Sequence, residues 1–190
     1  MSAKLRQTIA ALLIAASPGA FAINLVSNPD FDADLASWTV SGGAYRDFGF
    51  GSPATGTLRL DALSNGAIAL AGQCVDIHKW VTIDFALRYF VNVSGGFHQF
   101  KLDIYDAASC GGNKLDTLYP IKAAAVAVAG TPDPGWLEAG DYGFVLKPGS
   151  MSAHVDLSTA GTAGGDAGYL VDHVQVGPLE VIFVDDFDAD

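Results

Sequence analysis

Positive charge is scarce in this chain: ten Lys and Arg stand against 21 Asp and Glu, a net charge of −11 over 190 residues. Such a surface offers no basic patch to displace the counterions of a phosphate backbone, which excludes nucleic acid and anionic lipid and leaves neutral ligands and divalent cations. Catalytic signatures are missing too. There is no G-x-S-x-G elbow, no H-E-x-x-H, no phosphate loop and no dinucleotide fingerprint. His78, His98, His154 and His173 are scattered without ligand spacing, so exposed strand or turn positions are expected for all four. No pair of carboxylates sits in an apolar setting that would raise one pKa for glycoside hydrolysis, and a non-catalytic protein is expected.

Long hydrophobic runs are confined to the start. In "MSAKLRQTIAALLIAASPGAFA", Lys4 and Arg6 precede an apolar stretch and Ala20-Phe21-Ala22 is the small-x-small pattern of a signal peptidase site, so residues 1–22 are expected to be a cleaved export signal. The stretch is broken by Ser17-Pro18-Gly19 and no later segment is apolar enough to span a bilayer. A secreted or periplasmic protein is implied. Residues 1–22 hold two of the ten basic residues and none of the 21 acids, which leaves 8 against 21 in the mature chain. Cysteine is equally sparse, with only Cys74 and Cys110. An even count in an exported chain predicts a disulfide between them, and the absence of C-x-x-C argues against redox chemistry.

Helical periodicity is nearly absent after residue 22, and period-2 alternation takes its place between clusters of Gly, Pro, Asn, Asp and Ser. In "WVTIDFALRYFVNV", Val81, Ile83, Phe85, Leu87, Tyr89, Val91 and Val93 share one face. After "SGG", "FHQFKLDIYD" turns Phe100, Leu102 and Ile104 inward. The two segments are expected to form a hairpin. Further strands are expected at "TLRL", "AIALAGQCVDI", "YGFVLKP", "MSAHVDLS" and "YLVDHVQV". Seven or more strands in one domain of this length imply an all-β, two-sheet antiparallel β-sandwich over residues 23–178, followed by an acidic tail at 179–190. "KAAAVAVAGTPDPG" reads either as a short helix or as an edge strand running into a loop.

A sugar-binding face needs flat rings beside planar polar groups. The outward set of the central segments has that mixture: Arg88, Phe90, Asn92, Gln99, Lys101, Asp103 and Tyr105. A second candidate is the glycine-rich loop "GAYRDFGFGSP", which displays Tyr45, Phe48 and Phe50. Either surface can equally be a solvated or covered sheet face. Trp38 and Trp136 are assigned to packing.

"NLVSNPDFDADLASWTV" resembles the opening of the galactose-binding-like jelly rolls that include many carbohydrate-binding modules. The matching residues are Asn24-Leu25, Asn28-Pro29, Phe31-Asp32 and Trp38. "GTLRL", "GQCVDI", "IYDAASCGG", "PGWLEAGDYGFVLKPGSMSAHVDLS" and "YLVDHVQV" follow in that family's order over residues 24–177. The resemblance implies a jelly-roll sandwich and an exported module that binds extracellular or cell-surface carbohydrate, a polysaccharide or glycan. A structural or adhesive surface protein is the competing class, and a hydrolase a more distant one. The family's paired cysteines match Cys74 and Cys110. The resemblance also implies a structural calcium held by Asp32 and Asp172. Without a cation, Asp32 would cap a turn and Asp172 would accept from a neighbouring backbone amide; the residues leave both open.

The first "DFDAD" is no EF-hand, because Leu35 replaces the turn glycine and Ser41 stands at the twelfth position. The second copy, in "VIFVDDFDAD", resembles the short aromatic and acidic tails of exported bacterial proteins.

Overall fold

The computed structural model describes residues 23–51, 56–93, 96–121, 135–163 and 165–178. The proposed export signal, the Ala-rich segment 122–134 and the acidic tail lie outside them. Ten strands form in chain order: β1 (Thr39–Gly42), β2 (Ala44–Asp47), β3 (Thr57–Ala62), β4 (Ile68–Asp76), β5 (Thr82–Val93), β6 (Phe97–Tyr105), β7 (Lys114–Ile121), β8 (Leu137–Val145), β9 (Ser152–Ala160) and β10 (Ala167–Gly177). Among the described residues the one helical element is a 3-10 turn at Ala108–Cys110. Two five-stranded sheets result, ordered β1-β4-β9-β6-β7 and β2-β3-β10-β5-β8, with every strand pairing antiparallel. No helix among the described residues is long and apolar enough to cross a membrane.

Alternation builds the core as expected. Phe100, Leu102 and Ile104 of β6 meet Ile83, Phe85 and Leu87 of β5 in one buried cluster with Val155, Leu157, Tyr169 and Val171. The expected hairpin is overturned. β5 pairs with β10 and β8, whereas β6 pairs with β9 and β7, so the "SGG" connection carries the chain from one sheet to the other. The apolar faces of β5 and β6 then look at each other across the core, with the Tyr89 and Phe100 ring centroids 5.7 Å apart. Alternation dictates which face a strand buries but not which strand donates to its backbone. Val81, expected inward, is 73 % exposed because β5 begins only at Thr82.

His98 was expected outside and is only 2 % exposed. Its parity with Phe100 carries it inward, where Nδ1 lies 2.9 Å from Thr159 Oγ1. Tyr45 belongs to strand β2 rather than to the loop, which holds Phe48 and Phe50. Trp38 packs as expected, its ring 5.2 Å from the fully buried Phe31 and its indole N–H donated to the Asn28 carbonyl. Cys74 and Cys110 form the expected disulfide, joining β4 to the 3-10 turn with Cα atoms 5.9 Å apart.

The segment before β1 is a strap across one end of the sandwich. Leu25 N donates to Val176 O, Asn24 Nδ2 to Val174 O and Ser27 N to the buried Gln73 Oε1. Gln73 Nε2 returns a bond to Ser27 O.

Candidate functional site

The outer face of the β1-β4-β9-β6-β7 sheet holds a graded set of polar side chains. Register sets Gly72 of β4 between Thr39 of β1 and Asp156 of β9, and Asp156 opposite Lys101 of β6. In a neighbouring row Cys74, His154, Asp103 and Thr117 follow one another across the strands. An open groove of about 160 Å³ runs here, lined by Thr39, Ser41, Leu70, Gly72, His154 and Asp156. Gly72 makes the room for it. A Cβ at that position would lie 2.7 Å from His154 Cε1 and Nε2, so the imidazole rests over the glycine.

Lys101 anchors the polar row, 3.3 Å from Asp156 Oδ2 and 3.3 Å from Asp103 Oδ2. Asp103 Oδ1 also accepts from Thr117 Oγ1 at 2.6 Å and faces Lys114 Nζ at 3.3 Å. Burial alone would raise the Asp103 carboxyl, but the Thr117 hydroxyl and the Lys101 ammonium hold it below the ordinary carboxylate value. Burial alone would lower Lys101, and Asp156 and Asp103 lift it above its ordinary value instead. One atom is left over: Asp156 Oδ1 is buried and has no hydrogen-bond partner. Gln99 and Tyr105 are half-buried on β6, and Tyr119, two positions beyond Thr117, is 48 % exposed at the β7 edge.

The other expected residues occupy the opposite sheet, so the single surface expected from a β5–β6 hairpin is divided between the two outer faces of the sandwich. Arg88, Phe90 and Asn92 point outward from β5, with Phe90 in a cluster whose ring centroids lie 6.3 Å from Phe50 and 5.9 Å from Trp136. This cluster merges the loop candidate with the β5 candidate. It also gives Trp136 a ring partner, in line with its packing role. Phe48 is 74 % exposed and lies under the Arg46 guanidinium, 4.2 Å from its centroid. Tyr45 donates its hydroxyl to Asp61 at 2.9 Å, and Arg59 pairs with both Asp61 and Asp47. Burial first, then that bond to Asp61, raises the Tyr45 hydroxyl.

His154, Asp156, Thr39, Ser41 and Gly72 were absent from the sequence-based candidates. The alternation of "MSAHVDLS" does place His154 and Asp156 on one outward face, but no motif distinguishes them from a solvated strand edge.

The corner where a calcium is implied does not fit a metal. The Phe31 carbonyl accepts from Arg46 Nε at 2.6 Å and the Asp32 carbonyl accepts from Arg46 Nη2, while the Asp32 side chain is exposed. Asp172 is buried and its Oδ1 accepts from the His173 backbone N–H at 2.8 Å. Among the described residues no group of three or more His, Cys, Asp or Glu side chains is placed to share an ion.

Comparison with solved structures settles the architecture. TmCBM61, solved in complex with beta-1,4-galactotriose, superposes with a TM-score of 0.55 at 14% identity over 81% of this chain and 97% of its own. The fold is that of the carbohydrate-binding-module jelly roll. The C-terminal family 22 carbohydrate-binding module of Clostridium thermocellum Xyn10B gives 0.53 at 14% identity, over 82% of this chain and 94% of that one. The K1 cleaved adhesin domain of Lys-gingipain from Porphyromonas gingivalis W83 gives 0.50 at 14% identity, over 80% and 96%. No family model matches the sequence, and no curated protein matches it.

Proposed function

We propose that this protein is an exported, non-catalytic module that binds a neutral polysaccharide along the outer face of the β1-β4-β9-β6-β7 sheet. The observation that carries the reading is the open groove for which Gly72 makes room and which Asp156, His154, Thr39 and Ser41 line with polar groups. A hydrogen bond between a ligand hydroxyl and a charged side chain such as Asp156 contributes about 1.5–3 kcal/mol. Lys101, His154, Thr39 and Ser41 supply further donors and acceptors, and Leu70 and the His154 ring supply apolar surface for a sugar face. The modules sharing this fold include one solved with a galactotriose, which supports a glycan as the ligand.

The test is retention of the folded protein on a polysaccharide array, run beside Asp156→Ala and the double change Phe48→Ala with Phe50→Ala. Loss of a hydrogen bond to a charged group should weaken binding about tenfold or more in Asp156→Ala. Normal binding by Asp156→Ala together with loss in the phenylalanine variant would move the site to the opposite sheet. No retention on any polysaccharide would reject the reading, and turnover of a glycoside would reject the non-catalytic part. The adhesive alternative draws on the exposed Phe48, Tyr142 and Val145 and on the likeness to an adhesin domain.

A further inference from the structure

Two successive carbonyls, those of Phe31 and Asp32, converge on one point, and the group at that point is the guanidinium of Arg46. Converging backbone carbonyls are the donor set of a hard cation, but here a covalently attached, permanently charged fork fills it. The surroundings are shaped for that fork. Gly56 lies at φ +119°, and a Cβ there would come within 2.6 Å of Arg46 Nη2 and 2.8 Å of the Phe31 oxygen. The Phe48 ring covers the guanidinium from 4.2 Å, a cation–π contact. Phe31 itself is fully buried with φ +54°, a left-handed conformation that a non-glycine residue holds only when its surroundings fix it.

We propose that Arg46 is the built-in cation of this corner, taking the place of a structural divalent metal, and that it holds the strap to the sheet edge while it seats Phe48. Every group this requires belongs to the chain, so closure of the sandwich is independent of calcium. The inference stands on the Arg46 contacts alone and is separate from the glycan reading. It also explains why Asp32 is exposed and Asp172 is engaged with a backbone amide.

The experiment is thermal unfolding of the metal-stripped protein in chelator and in millimolar calcium, with calorimetric titration of calcium into the same protein. The expected result is one melting temperature in both buffers and no saturable heat. Arg46→Met should melt roughly 5 °C lower, and Arg46→Lys, which keeps the charge but not the fork, should fall between. Fluorescence of Trp38, which packs on Phe31, reports whether the strap has loosened in a variant that still folds. A saturable calcium-dependent rise in the melting temperature of the unmodified protein would overturn the proposal, as would an Arg46→Met variant that melts with it. If Arg46→Met does not fold, Arg46→Lys and the calcium titration still decide.

Discussion

Lowering the pH should weaken this sandwich through one histidine. His98 is 2 % exposed, and burial alone depresses its pKa from 6.5 to about 4. Thr159 Oγ1 sits within reach of the Phe97 carbonyl at 3.2 Å, so its hydroxyl proton is best placed there and the His98 Nδ1–H then donates to Thr159. That assigns the neutral tautomer with a bare Nε2, which is buried without a partner. The ring meets Tyr169 edge-on at 4.7 Å, and the Tyr169 hydroxyl is turned to the Ser158 carbonyl, so neither offers a charge to balance an imidazolium. Above pH 6.5 both the folded and the unfolded chain are neutral at this position, and it has no effect on stability. Between 6.5 and about 4 the unfolded chain binds a proton that the folded one refuses, so stability falls with pH by up to about 1.4 kcal/mol per unit. The loss saturates near 3 kcal/mol below about pH 4. Urea unfolding across that range, for the protein and for His98→Phe, isolates the term because the carboxylates titrate alike in both. The variant keeps Thr159 bonded to Phe97 O, and its stability should fall less by about 3 kcal/mol over the window. Parallel curves for the two proteins would refute the reasoning.

Reducing the Cys74–Cys110 bond, or replacing both residues with Ala, should lower the unfolding free energy by up to roughly 4 kcal/mol in the chain-entropy model, read from urea midpoints. Two alkylatable thiols in non-reduced protein would contradict it. Gly72→Ala should displace the His154 ring and close the groove, weakening polysaccharide retention while far-UV circular dichroism stays unchanged; undiminished retention would show that the groove is not used.

The sheets were legible because alternation reports burial directly: 98, 100, 102 and 104 share a parity, and each is buried. His98 shows where chemistry misleads, since a titratable ring suggested a surface position while parity pointed inward. Pairing was illegible because the "SGG" turn suits a hairpin as well as a crossing between sheets, and the choice is made by β9 and β10, more than fifty residues away. The polar row beside the groove was in the candidate set through Lys101 and Asp103, but none of the groove's own lining was. That lining, on β1, β4 and β9, consists of residues that become a group only when distant strands are laid side by side.

The strap places the two ends of the domain together, with Leu25 N bonded to Val176 O. A chain held at residues 23 and 178 therefore enters and leaves at one corner. Tension between those points would open that corner bond by bond instead of shearing the sheets, so the domain should yield at low force. Joining the same two points through a short linker and cutting at an exposed turn elsewhere gives a circular permutant that keeps both sheets.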